Sequence, residues 1–177
     1  MSNLRHFVLL LSILYIFSTN ASAASQGQGR VHVRGSIVET PCAIATESRF
    51  QNVDIGVTPD SMVARDGRSM PHLFYIRLVN CKLDRLKPGD PAWHYFQLTF
   101  NGKDDNGFFA LNSGVNGIAL QLEDSQGNIA HPNQPLPVSE ITPGNMKLGY
   151  SLRLVGNHHA MQVGSFHSDL QFMMNYY

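Results

Sequence analysis

Apolar and polar residues alternate with a period of two along most of this 177-residue chain, between clusters of Gly, Pro, Asn and Asp. Successive side chains of a β-strand point to opposite faces, so this period predicts half-buried strands. Several short strands separated by turn-forming clusters are typical of a two-sheet sandwich of immunoglobulin type. We therefore predict an all-β fold. The predicted strands are 53–57, 72–81, 93–100, 117–123, 146–155 and 166–177.

The first 23 residues have the order of a secretory signal peptide. A basic region with Arg5 precedes an apolar run at 7–17 and small residues at 19–23, which is the order that a signal peptidase recognises. A run of about 11 apolar residues is too short to cross a bilayer core, which takes roughly 20. We expect cleavage after Ala23, or one residue later after Ala24. The mature protein is then exported and is not embedded in a membrane.

Charge and motifs exclude several classes of function. The chain has 13 basic and 13 acidic residues, and this balance gives no electrostatic reason to expect nucleic acid as a partner. The eight histidines do not occur at metal-ligand spacings, and no nucleophile motif is present. The sequence therefore predicts no cofactor, no metal site and no enzymatic activity.

The chain contains two cysteines, Cys42 and Cys81. In an exported protein, a lone pair of cysteines predicts one structural disulfide. A bridge between these two cysteines closes a loop of about 40 residues, which contributes on the order of 4 kcal/mol to stability in the chain-entropy model.

Residues 25–37 alternate strictly between small or apolar residues at odd positions and polar residues at even positions. A segment with one such face can lie as a strand in a groove, but three glycines weaken it as a free strand. An ordinary first strand with an unstructured tail explains this alternation equally well. The residues that would form the small or apolar face of such a strand are Gly27, Gly29, Val31, Val33, Gly35 and Ile37.

The last predicted strand is apolar on one face and runs almost to the final residue of the sequence. Leu170, Phe172, Met174 and Tyr176 alternate there with mostly polar residues. A sandwich of this type needs one further strand to cover its final edge, and none follows. We therefore expect an apolar groove beside an unpaired edge, which an extended segment of another chain would fill.

Taken together, these features resemble the pilin subunits of chaperone–usher fimbriae over essentially the whole mature chain. Residues 31–38 lead into Cys42, and Cys81 is the partner cysteine. Pilins of this family carry a glycine 14 residues from the end and a tyrosine next to last, and Gly164 and Tyr176 occupy these places. The segment Cys42-Ala43-Ile44 followed by Val53-Asp54-Ile55-Gly56 also resembles subunits of the P-pilus type.

The resemblance implies an incomplete immunoglobulin-like β-sandwich that lacks its last strand. An N-terminal donor-strand extension (24–35) would follow the signal peptide (1–23) and precede a pilin domain (36–177). The implied partners are a periplasmic pilus chaperone that binds the terminal carboxylate, an outer-membrane usher, and neighbouring pilin subunits in a fimbrium. The implied donor residues are Gly27, Gly29, Val31, Val33, Gly35 and Ile37, and the acceptor edge comprises Gly164, Leu170, Phe172, Met174, Tyr176 and Tyr177.

Two further expectations concern the role of the subunit. The extension is short and has Gly27 and Gly29 where bulkier donors have apolar groups, which favours a minor subunit such as an adaptor or a terminator. The alternative function is a secreted carbohydrate-binding β-sandwich or a fimbrial adhesin module, with Trp93, Tyr95 and Phe96 as a sugar platform. Alternation at 93–100 equally predicts core packing, and one domain's worth of residues leaves no room for a separate receptor-binding domain.

Overall fold

The protein folds as two antiparallel β-sheets that pack face to face. The computed structural model describes residues 30–112 and 114–177. The predicted signal peptide, Gly27 and Gly29 lie outside the described residues. The chain divides into two units, Met1–Ile37 and Val38–Tyr177. All described strands and helices belong to the second unit, here called the domain.

The described residues form ten strands and two short helices. The strands are β1 (Ala43–Ile44), β2 (His72–Cys81), β3 (Tyr95–Asn101), β4 (Asp104–Asp105), β5 (Phe108–Phe109), β6 (Ile118–Asp124), β7 (Ile129–Ala130), β8 (Ser139–Glu140), β9 (Gly144–Gly156) and β10 (Gln171–Tyr176). The helices are α1 (Thr46–Arg49) and α2 (Asp60–Asp66). The larger sheet has the order β1-β2-β9-β6-β5-β4, with β7 beside β6, and the smaller sheet has the order β10-β3-β8. The predicted all-β sandwich is confirmed.

Strand β2 shows how the alternation decides which side chains are buried. Ile76 and Leu78 are fully buried on its inner face, whereas Leu73 and Tyr75 are exposed on its outer face. Strand β2 pairs with β9 along most of its length, so the inward-facing side chains of the two strands form one continuous apolar face. The period of two therefore directs one side of this sheet into the core.

Aromatic side chains join the two sheets. Phe100 of β3 packs edge-on against Tyr150 of β9, with ring centroids 5.2 Å apart. Tyr150 also stacks on its cross-strand neighbour Phe74, at 5.4 Å. These three rings lie between the sheets, where offset and edge-on geometries are favourable. The core sits at this contact.

The four long predicted strands are confirmed within two residues of their ends, but two predictions at the edges are wrong. Residues 53–57 do not form a strand, because the Asp54 carboxylate accepts the Gly56 N–H at 2.8 Å and Gly56 has a φ of +66°. The last strand begins at Gln171 rather than at residue 166. Helices α1 and α2 were not predicted, since each is too short to show an apolar period.

The predicted disulfide is confirmed between Cys42 and Cys81. It joins the residue before β1 to the last residue of β2. Next to it, the Lys82 N–H donates to the Pro41 carbonyl at 2.8 Å. In the part of the chain that the structure describes, no helix is long and apolar enough to cross a membrane.

Candidate functional site

An apolar groove of about 1160 Å³ opens in the domain between two nine-residue segments. The first wall consists of residues 50–58 and the second wall of residues 164–172. Between the walls, side chains of both sheets line the groove. These are Phe74, Phe100, Leu120, Leu122 and Leu152, here called the floor.

The first wall is an irregular segment with apolar residues turned inwards. Val53 and Ile55 are half-buried and pack against the core. The Gln51 amide donates to the Tyr75 carbonyl at 3.0 Å and so attaches the start of the wall to β2. The turn at Asp54–Gly56 then prevents regular pairing of this wall with the sheet.

The part of the second wall before β10 is attached to the segment around Ala110. The Asn112 N–H donates to the His167 carbonyl at 2.7 Å, and the Ser168 hydroxyl donates to the Ala110 carbonyl at 2.9 Å. Strand β10 therefore starts only after this contact. Among the described residues β10 pairs with β3 alone, so its other edge has no strand partner there, and its first two residues, Gln171 and Phe172, line the groove.

Gly164 is required by a close approach of backbone to backbone. A Cβ at this position would clash with the carbonyl oxygen of Gly114, well inside the separation that real Cβ atoms show. Gly102 permits a second close contact, because a Cβ there would lie 2.8 Å from the Phe109 ring and 2.9 Å from Leu170. These glycines allow the second wall to lie directly against the domain.

The structure places three of the six predicted acceptor residues in the lining of the groove: Gly164, Leu170 and Phe172. Met174 and Tyr176 lie further along β10 and pack against the core outside that lining. Burial raises the pKa of the Tyr176 phenol. The Tyr177 main-chain oxygen accepts N–H groups of His94 at 2.8 Å and Tyr95 at 3.1 Å.

The four predicted donor residues within the described range are not in a strand. Residues 30–40 have no regular secondary structure. Val31, Val33 and Ile37 are almost fully exposed, and a Cβ at Gly35 would meet no atom within 4 Å.

Sequence reasoning missed the first wall and the floor. The alternation of Val53 and Ile55 indicates an apolar face in the first wall, but by itself this alternation predicts an ordinary strand. The floor residues belong to strands that were predicted, for example Leu122 of β6 and Leu152 of β9. Nothing in the local pattern indicates that they line an opening, because this depends on which neighbouring strand is absent.

The lining of the groove suits an extended apolar segment and not a reaction. Its ionisable side chains are Arg49, Asp54, His167 and Asp169, all on or beside the walls. Within residues 30–112 and 114–177, no group of three or more His, Cys, Asp or Glu residues is arranged to hold a metal ion.

The sugar platform of the alternative function is not formed. Trp93 and Phe96 are buried in the core, and only Tyr95 of the three is exposed. A stacking surface for a sugar needs exposed ring faces. The core-packing interpretation of residues 93–100 is therefore the correct one.

Curated proteins similar to this chain include several fimbrial subunits. No protein-family model matches the chain. The chain is 29% identical to the PRS fimbrial minor pilin protein of Escherichia coli, over 84% of this chain and 77% of that protein. It is 28% identical to the major MR/P fimbria protein of Proteus mirabilis, over 98% of both chains. A shorter match, to the KS71A fimbrillin of Escherichia coli, is 35% identical over 63% of each chain.

Two solved structures of similar fold also come from pili. The P pilus rod subunit PapA matches with a TM-score of 0.70 and 24% identity, over 78% of this chain and all of that chain. A chaperone–usher pilus structure matches with a TM-score of 0.66 and 25% identity, over 89% of this chain and all of that chain. The relatives are structural subunits and not enzymes, as predicted for this chain. These relatives and solved structures together support the interpretation of the chain as a pilin of chaperone–usher fimbriae, whose pilins are the structural subunits of surface pili.

Proposed function

We propose that this pilin assembles by donor-strand complementation. An extended segment of a neighbouring subunit fills the groove, and residues 27–37 of this chain fill the groove of the next subunit. The observation that carries the proposal is the open groove, where core side chains such as Phe100 and Leu122 line a channel. Each wall has nine residues, and a strand of that length spans about 30 Å. Residues 27–37 are long enough to fill it.

The energetics favour an occupied groove. The floor and walls hold half-buried apolar groups such as Phe74, Leu170 and Phe172, and contact with a donor strand would remove them from water. A buried side chain contributes about 1.5–3 kcal/mol and a net hydrogen bond about 1 kcal/mol. A strand with several anchors therefore contributes on the order of 10 kcal/mol, so assembly needs no nucleotide.

The alternation of the extension gives the donor its register. Val31, Val33, Gly35 and Ile37 share one face, and the polar residues between them share the other. Gly35 brings the donor backbone close to the floor, because it has no side chain to separate them. A bulky residue at this position would hold the strand out of the groove.

The same proposal covers export and partners. The signal peptide (1–23) directs the chain to the periplasm, where a pilus chaperone lends a strand to the groove. The outer-membrane usher then exchanges that strand for the extension (24–35) of another subunit, and the pilin domain (36–177) joins the fibre. Tyr177 lies beside β3 through its bonds to His94 and Tyr95, which fixes its position for recognition by the chaperone.

We also propose that this pilin is a minor subunit, either an adaptor or a terminator. The support is the extension itself, which has Gly27 and Gly29 in its outer half and so offers few apolar anchors there. Immunogold labelling of purified fibres would test this proposal, because a minor subunit labels single positions or ends. Label along the whole shaft would contradict it.

A peptide-exchange experiment tests the assembly mechanism. The neighbouring pilin that receives this extension is purified with its chaperone and mixed with a synthetic peptide of residues 25–37, and release of the chaperone is followed by gel filtration. We expect exchange with the native peptide and with Ser36→Leu, whose change lies on the outer face. We expect little or none with Gly35→Leu, whose change lies on the inner face. Equal exchange by both altered peptides would show that the assigned donor face is wrong.

A second measurement separates this mechanism from an independent binding module. The mature chain is expressed without the chaperone. If it is soluble, monomeric and melts cooperatively with no donor present, the groove does not need a strand and the proposal fails.

A further inference from the structure

Three successive attachments join residues 39–42 to residues 81–86. The first is the Cys42–Cys81 disulfide. The second is the hydrogen bond from the Lys82 N–H to the Pro41 carbonyl. The third is made by Glu39, which is the second residue of the domain. Only the third attachment uses a charged side chain.

Both carboxylate oxygens of Glu39 have partners. One accepts the backbone N–H of Leu86 at 2.5 Å. The other lies 3.4 Å from the Nε of Arg85. The side chains of Glu39 and Arg85 are each only 26% exposed, so solvent screens this pair less than an ion pair on the open surface. The backbone hydrogen bond to a carboxylate is of the charge-assisted kind.

Arg85 connects this contact to the core. Its guanidinium carbon lies 3.8 Å from the centroid of the Trp93 ring, in a cation–π arrangement. Trp93 is buried and packs edge-on against Tyr176 of β10, at 6.3 Å. The backbone N–H of Trp93 donates to the Leu83 carbonyl at 2.8 Å. The loop that holds Glu39 is therefore itself fixed against the strand at the groove edge.

We infer that Glu39 is a positioning residue that sets where the donor extension leaves the domain. This inference rests on the proposed function, since it assumes that the residues just before Glu39 enter a neighbouring subunit. In a fibre linked in this way, the short connection between donor and domain determines the spacing and angle of successive subunits. Glu39 shortens that connection by attaching it to Arg85 and Leu86.

The expected effect follows from chain geometry. Without the Glu39 contacts, the first attachment is the hydrogen bond of Pro41. The free connection then gains two residues, which add up to about 7 Å of reach in an extended chain. The distance and angle between adjacent subunits should vary correspondingly more.

The test compares fibres that carry Glu39→Ala, Glu39→Gln or the control Glu47→Ala. Glu47 forms an ion pair with Arg77 in which both side chains are about 60% exposed, and it lies outside the contact. Electron microscopy of the fibres, with this subunit located by antibody label, gives the distributions of the spacing and angle between it and its neighbour. We expect Glu39→Ala to broaden the distribution of spacings by up to about 7 Å. Glu39→Gln should broaden it less, because its amide oxygen still accepts the Leu86 N–H. The control Glu47→Ala should match the native fibre.

Thermal unfolding separates positioning from stability. A Glu39→Ala subunit that is less stable but keeps the native distributions would overturn the inference, because Glu39 would then be only structural. If Glu39→Ala does not enter fibres, the same measurement on Arg85→Lys decides, since this change keeps the charge but removes the guanidinium that lies over the Trp93 ring. Fibres in which the native subunit is present but is not donor-linked to a neighbour would refute the proposed function and the positioning role together. Normal fibres with unchanged geometry would refute the positioning role alone.

Discussion

A single methyl group at Gly164 tests how the second wall of the groove packs. In Gly164→Ala, the new Cβ would clash with the Gly114 carbonyl oxygen and lie 3.5 Å from a methyl group of Val115. The obstacle is backbone, so it cannot rotate away as a flexible side chain could. Overpacking of this kind costs typically about 1–3 kcal/mol. Since 1 kcal/mol corresponds to roughly 2–4 °C in a domain of this size, we expect the Tm to fall by about 2–12 °C.

The assay is made on the subunit with a donor strand bound in its groove, and it uses fluorescence of Trp93, which is the single tryptophan of the chain and is buried. Its emission shifts to longer wavelength when the core opens, so it reports thermal and urea unfolding directly. The matched control is Gly156→Ala at the end of β9, where a new Cβ would meet no atom within 4 Å. We expect the control to unfold like the native domain. If Gly164→Ala also does so, the close contact with Gly114 does not constrain this position and the reasoning is refuted.

Two further predictions concern the disulfide and the core. Replacement of Cys42 and Cys81 by Ser removes a bridge between residues 39 positions apart, which should lower the free energy of unfolding in urea by about 4 kcal/mol; equal stability of the native chain with and without reductant would contradict this. Burial, and to a smaller extent the Asp124 carboxylate, raises the pKa of the Tyr150 phenol in the folded domain. The neutral phenol therefore contributes to the free energy of unfolding in full below the unfolded-state pKa of about 10, and this contribution is lost as the pH rises above that value. Tyr150→Phe should therefore flatten the alkaline limb of a stability–pH profile, and an unchanged limb would refute the assignment.

The strands most faithfully predicted are those with long, strict alternation. Strand β2 was predicted at 72–81 and forms at His72–Cys81, because a buried face and an exposed face select the same residues everywhere along it. The segment 53–57 has the same alternation but is no strand, because a local hydrogen bond to Asp54 competes with sheet pairing. Periodicity indicates which side chains turn inwards, and here that part of the interpretation still holds for Val53 and Ile55.

By itself, the sequence determined the all-β class, the cysteine pair, the apolar face of the last strand and the alternating extension, since each depends on neighbouring residues or on the count of one residue type. Only the tertiary structure decided that β10 pairs with the distant β3, that residues 50–58 form the opposite wall, and that Gly164 lies against Gly114. The physical reason is that alternation is a property of the local backbone, whereas a strand's partner is set by contacts between residues far apart in the chain. The groove is the space between two such distant segments, so it becomes visible only once both are in place.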